Sequence, residues 1–199
     1  MEKPSITAII LAGGKSTRMN GNDKGLLLLQ QKPLYQHVID RIQPHVDALM
    51  INCNRHIQQY KKAGYPVFSD DLAGFCGPLS GIYSGLLRSK TDWNLFISCD
   101  TPFLPDDLID RLAVYTANNS AIYPYDGQHH HPTILLIHKT TIPQLQAYLE
   151  QGERKLMLFL EQISAKSVDF SDKAACFINI NTVEELNTFN QKANKQYFF

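Results

Sequence analysis

The chain has 199 residues, 44% hydrophobic and 19% charged, enough apolar material for one sizeable core and close to the length of a single domain. Lys+Arg and Asp+Glu both number 19, so no net field draws the chain to nucleic acid or to an anionic membrane, and small molecules are the expected partners. The N-terminal apolar run Ala8 to Ala12 is far shorter than the ~18 apolar residues of a membrane span, and no signal-peptide pattern precedes it. Cys53, Cys76, Cys99 and Cys176 form no Cys-x-x-Cys pair and suit reduced core thiols, so a cytoplasmic setting is expected.

Strand-like runs alternate with helical patterns. The runs Ile6–Leu11, Ala48–Ile51, Tyr65–Ser69, Leu95–Ser98, Ala121–Tyr123, Thr133–Ile137 and Phe177–Ile180 predict strands. Apolar residues at three- and four-residue spacing predict helices over His37–Ile42, Ile57–Ala63, Leu79–Leu87, Pro105–Thr116, Ile142–Gln151, Lys155–Ile163 and Thr182–Lys192. Pro105-Asp106-Asp107 and the capping box Thr182-x-x-Glu185 are start signals, and Asp126-Gly127 marks a turn in the least regular stretch, Tyr125–Pro132. This alternation predicts an α/β fold with a mostly parallel sheet and helices on both faces, in one domain spanning 1–199.

The first strand runs directly into Ala12-Gly13-Gly14-Lys15-Ser16-Thr17-Arg18, with Asp23-Lys24-Gly25 shortly after. Two glycines at the end of a parallel strand let backbone N–H groups turn around an anion, and Arg18 and Lys24 add fixed positive charge, so the segment has a phosphate-binding design. It matches neither Gly-x-Gly-x-x-Gly nor the Walker pattern, which removes most support for a dinucleotide site or a P-loop ATPase. Further on, Leu95–Ser98 runs through Cys99 into Asp100-Thr101-Pro102. A strand-end aspartate faces the ligand crevice of an open α/β sheet, and a hard Mg²⁺ ion takes one or two carboxylates with phosphate oxygens and water, so Asp100 is the predicted metal ligand. Asp70 ends another strand, ahead of Gly77-Pro78-Leu79-Ser80-Gly81. Asn52 ends the second strand and has two readings, a base- or ribose-binding amide or a turn-satisfying one.

The signature Leu11-Ala12-Gly13-Gly14, Arg18-Met19 and Asp23-Lys24-Gly25 resembles that of the nucleoside-triphosphate transferase superfamily. Its Asp-Lys-Gly ending is similar to that of the molybdenum cofactor guanylyltransferases. Asn20 stands where that family has the first of two glycines, a residue that tolerates positive φ better than most. The resemblance implies a Rossmann-like three-layer fold, a GTP site at Leu11, Ala12, Gly13, Lys24, Asn52, Asp70 and Asp100, and catalytic roles for Arg18, Lys24 and Asp100 with Mg²⁺ on Asp100. It continues through Cys-Asp-Thr-Pro-Phe-Leu-Pro at residues 99–105, and reaches three later segments: His131-Pro132-Thr133, Gly152-Glu153-Arg154-Lys155 and Asn179-Ile180-Asn181-Thr182. These are similar to acceptor-side motifs, with Val183 where the family commonly has Pro.

An acceptor that carries a phosphate and a fused pterin needs cations at its anion and amides around its ring. Arg154 and Lys155 are assigned the first task, and Asn179 and Asn181 the second. The other reading makes Lys155 a solvated helix residue and the asparagines caps for the last helix. Adjacent His129, His130 and His131 cannot easily converge on one ion, which argues against zinc. The implied reaction joins GMP from GTP to molybdopterin, with a nucleotide half before about residue 101 and an acceptor half after it. Other cofactor-assembly proteins are the implied partners. The rival readings are a sister transferase using CTP or a sugar phosphate, and a silent nucleotide-binding module.

Overall fold

A computed structural model describes residues 3–12, 23–72 and 77–196. Strand β1 (Ile6–Leu11) lies inside a seven-stranded sheet, and a two-stranded hairpin, β2 (Leu28–Leu29) with β3 (Lys32–Pro33), follows apart from it. β4 (Ala48–Asn52) and β5 (Val67–Phe68) extend the sheet on one side of β1; β6 (Trp93–Ser98) extends it on the other. Beyond β6 come β8 (Ile134–His138), β7 (Ala121–Tyr125) and β9 (Lys166–Asp169), giving the order β5-β4-β1-β6-β8-β7-β9. Every neighbouring pair is parallel except the two made by β8, which runs antiparallel to β6 and to β7.

Strand periodicity sorts the core into two layers. Ile6, Ala8 and Ile10 of β1 face one cluster, packed with Val38 and Ile39 of α1 (Leu34–Ile42) and Leu108 and Leu112 of α4 (Leu108–Ala113). Ile9 faces the other, packed with Ile82 and Leu86 of α3 (Pro78–Arg88), Leu145 of α5 (Ile142–Glu150) and Phe159 of α6 (Leu156–Gln162). Helices on both faces of a sheet leave its strand runs almost wholly apolar, as β1 and β6 are. The short helix α2 (Ile57–Tyr60) joins the first layer through Tyr60.

The order of the strands reverses at β1 and β6, and ligand crevices in such sheets open beyond the carboxyl ends of strands at that point. Antiparallel β8 brings its N-terminal end to the same edge, where Thr133 O accepts from Ser98 N at 3.2 Å. A third cluster closes the chain on itself: Ile180 and Leu186, the latter in α7 (Val183–Gln196), pack against Leu29 and Leu34. Asn190 of α7 donates to Leu28 O at 3.2 Å and accepts from Gln30 N at 2.7 Å. No helix among the described residues is long and apolar enough to cross a membrane.

Three elements differ from those the sequence predicts. Residues 177–180 form no strand: Phe177 ends a 3-10 stretch, Ser171–Phe177, and Ile180 N donates to Asp100 O at 2.9 Å, outside the sheet ladder. The edge place belongs to β9, whose run Lys-Ser-Val-Asp buries only Val168 and so carries almost no hydrophobic signal. The β2–β3 hairpin turns through Gln30 and Gln31, both at positive φ (49° and 64°), a backbone choice usually signalled by Asn or Gly.

Candidate functional site

The site residues gather along the crevice edge. Leu11 O accepts from Cys99 N at 3.1 Å and Asn52 O accepts from Ala12 N at 2.8 Å, so the ends of β4, β1 and β6 are locked together. Beyond β6, Asp100 is 8% exposed, and its carboxylate accepts from the Ser98 hydroxyl and from Lys24 Nζ, both at 2.5 Å. Lys24 leads a 3-10 turn, Lys24–Leu26, and its ammonium also donates to Asn181 Oδ1 at 2.8 Å. One ammonium therefore joins the strand-end carboxylate to the segment ahead of the last helix, 157 positions beyond Lys24 itself.

On the opposite side of β1, Asp70 is held as an acceptor. Asn52 Nδ2 donates to its Oδ1 and Asn54 Nδ2 to its Oδ2, each at 2.9 Å, while Asp70 N donates back to Asn54 Oδ1 at 2.9 Å. Asn52 is 3% exposed and lies against Gly81 of α3, where a Cβ would meet Asn52 Oδ1 at 2.5 Å and Leu11 Cδ2 at 2.9 Å. The glycine is there because the helix passes over the strand end too closely for any side chain. Gly81→Ala should therefore displace Asn52 and, on the expectation that Asn52 meets the nucleotide, weaken nucleotide binding roughly three- to tenfold, the worth of one hydrogen bond, although alanine is the better helix former by about 1 kcal/mol. Nucleotide titration checks this; unaltered affinity would place the base elsewhere.

The acceptor-side assignments separate on inspection. Thr182 Oγ1 accepts from Glu185 N at 3.1 Å and Glu185 Oε2 accepts from Thr182 N at 3.2 Å, so the capping box is formed by those two residues, and the Asn181 side chain is left to Lys24. Asn179 Oδ1 is buried with no hydrogen-bond partner. Arg154 donates to the carbonyls of Leu149 (2.8 Å) and Glu153 (2.6 Å), which makes it a cap for the end of α5. Lys155 is exposed at the N-cap position of α6, with β-region backbone. The turn 151–155 lies between α5 and α6.

His131 is partnered inside its own loop. Its Nε2 lies 2.7 Å from Asp126 Oδ2, and its ring stacks on Phe177 at 4.9 Å. Burial raises the Asp126 pKa, but the His129 amide, the His131 imidazole and the Gln128 amide outweigh it and hold the carboxyl down to about 2. Among the described residues no group of three or more His, Cys, Asp or Glu could hold a metal ion, and Asp100 is the carboxylate the sequence assigns to Mg²⁺. A single carboxylate fits Mg²⁺ bound mainly through substrate phosphates and water. Two buried thiols are poor nucleophiles: burial, with the Asp23 charge behind it, pushes Cys53 up to about 12, and burial likewise raises Cys99.

Gly13 and Arg18 lie outside the described residues. Sequence reasoning missed Ser98 and Asn54. Each stands two residues from a predicted site residue (Asp100 and Asn52), and the period of two that places strand side chains on one side was the available signal.

The sheet with its reversal at β1 and β6, and the lysine-bridged carboxylate at that point, define a nucleotidyltransferase of the Rossmann-like α/β class. A family model described as the MobA-like NTP transferase domain matches residues 8–166, and the chain belongs to that family. It is 47% identical over 194 residues to a molybdenum cofactor guanylyltransferase of Yersinia pseudotuberculosis serotype O:1b (strain IP 31758), covering 98% of this chain and 100% of the relative. The same figures hold for the protein of that name from Yersinia pestis. Molybdopterin-guanine dinucleotide biosynthesis protein A from Archaeoglobus fulgidus superposes with a TM-score of 0.78 at 22% identity, covering 95% of this chain and 99% of that one. A 4-diphosphocytidyl-2C-methyl-D-erythritol synthase from Anaerococcus prevotii gives 0.75 at 13% identity, covering 96% and 97%. At these identities the two structures establish the fold alone.

Proposed function

We propose that this protein transfers GMP from GTP to the terminal phosphate of molybdopterin, releasing pyrophosphate and forming molybdopterin guanine dinucleotide. Near full-length identity to guanylyltransferases supports the substrates, and the observation that carries the reading is the Lys24 ammonium shared between Asp100 and Asn181. In this reading the cation lies between a residue assigned to the nucleotide and one assigned to the acceptor.

In this reading an oxygen of the acceptor phosphate attacks the α-phosphorus of GTP. One P–O bond forms, the bond from the α-phosphorus to the bridging oxygen breaks, and that electron pair leaves on pyrophosphate. A phosphate nucleophile is already ionised, so no general base is needed and the protein's work is alignment and charge neutralisation. Asp100 would hold Mg²⁺, which supplies Lewis-acid charge to the triphosphate when bound. Ser98 fixes one oxygen of Asp100, leaving the other to Lys24, whose ammonium can turn to the transferring phosphate. Arg18 and the Gly13–Gly14 backbone are assigned to the phosphates, Asn52 and the backbone near Leu11, Ala12 and Gly13 to the guanine edge, Asp70 to the nucleotide, and Asn179, Asn181 and Lys155 to the acceptor. Arg154 serves that site by shaping its loop. Other cofactor-assembly proteins remain proposed partners, and the cytoplasm the proposed compartment.

The test is base selectivity. With molybdopterin present, GTP should release pyrophosphate at least tenfold faster than CTP or ATP, because a wrong base leaves buried polar groups unpaired, at about 1–3 kcal/mol each. Equal rates with CTP would favour a sister transferase, and no release with any triphosphate would favour a silent nucleotide-binding module.

A further inference from the structure

Behind Lys24 lies a cluster that none of these roles uses. The Asp23 side chain is only 4% exposed, and a carboxyl group buried so deeply needs hydrogen-bond partners that meet it. Three do. Tyr60 Oη donates to Asp23 Oδ1 at 2.6 Å, Gly25 N donates to the same oxygen at 3.2 Å, and His56 Nδ1 lies 3.0 Å from Oδ2. Each donor is itself fixed. Tyr60 is fully buried, with Tyr35 of α1 edge-on at 4.9 Å, and burial raises its pKa, so the phenol remains a donor. Gly25 passes so close that a Cβ there would lie 2.4 Å from Tyr60 Oη. His56 opens α2 in the left-handed region (φ 52°, ψ 31°) with no side-chain cap bond, a conformation that non-glycine residues keep only when their surroundings impose it.

Asp23 is the N-cap of the turn that begins at Lys24, so its anchoring sets where the next side chain emerges. We propose that Asp23, Tyr60 and His56 are positioning residues that aim the Lys24 ammonium at Asp100, and that Tyr60 and His56 affect the reaction only through Lys24. The motif Asp23-Lys24-Gly25 then reads as anchor, cation and close-approach site. This rests on the assignment of Lys24 to the reaction, and the experiment separates the two.

The experiment is a double-mutant cycle on the full chain, reading kcat for GTP- and molybdopterin-dependent pyrophosphate release, with thermal melting of every variant. Tyr60→Phe keeps the ring and removes one donor; His56→Gly removes the imidazole and suits the left-handed backbone. In the wild-type background each should lower kcat about three- to thirtyfold, below the roughly ten- to hundredfold worth of a hydrogen bond to a charged group because the effect passes through Lys24. In the Lys24→Ala background each should change kcat less than twofold. Equal loss in both backgrounds would overturn the proposal and leave the cluster a structural support, as would unaltered kcat in the wild-type background. If Lys24→Ala itself leaves kcat intact, the assignment of Lys24 falls and takes the proposal with it. Should Tyr60→Phe fail to fold, His56→Gly, at a side chain 43% exposed, carries the same test.

Discussion

Asp100→Asn should lower kcat by about 10²–10³ at saturating Mg²⁺, the typical effect of losing one preorganised charge-stabilising group. The amide is nearly isosteric with the carboxylate, and the Ser98 hydroxyl can still donate to its oxygen, so the end of β6 should keep its shape. Its NH₂ group, however, would face the Lys24 ammonium, a donor set against a donor where the native pair is 2.5 Å apart. The variant thus removes the proposed metal ligand and releases Lys24 at once. Steady-state kinetics across a Mg²⁺ range, with circular dichroism as the folding control, checks this. Near-normal turnover would make Asp100 a structural residue.

Lys24→Ala should be comparably damaging, about 10²–10³ in kcat, because it deletes the cation assigned to the transferring phosphate. It should also reach the acceptor. The ammonium is 20% exposed at its side chain and divides its bonds between Asp100 and Asn181, so its loss leaves Asn181 Oδ1 without that donor. KM for molybdopterin should therefore rise roughly three- to tenfold along with the weakened nucleotide step, the worth of one hydrogen bond. Asn181→Ala alone should raise the same KM without lowering the melting temperature by the ~1 kcal/mol of a lost cap, since Thr182 makes the cap. Full additivity of the two substitutions would contradict the shared ammonium.

Where the residues assigned to the nucleotide stand in the fold was legible in the sequence because their placement is local. A residue at the end of a strand sits on an element whose hydrophobic run announces where it stops, and Leu11, Asn52, Asp70 and Asp100 all occupy strand ends or the residues just beyond. The acceptor side was harder, since Arg154 and Asn181 stand next to helix ends, where capping and binding use the same residue types. Only the contacts decide: Arg154 caps α5, whereas Asn181 yields the cap to Thr182 and meets Lys24. The Asp23 cluster was illegible for another reason. Its partners His56 and Tyr60 lie 33 and 37 positions away, on a four-residue helix with no strong period of its own. Strand β9 escaped because an edge strand that buries one side chain has no alternation to detect.

The central claim is that one site joins GTP to molybdopterin directly. It is tested by following α-phosphate-labelled GTP with molybdopterin, Mg²⁺ and an excess of enzyme in a single turnover. The account predicts that the label appears in the pterin dinucleotide with one pyrophosphate released per product, and that omitting molybdopterin abolishes both. Pyrophosphate formed at the same rate without the acceptor, or label that never reaches the pterin, would contradict it.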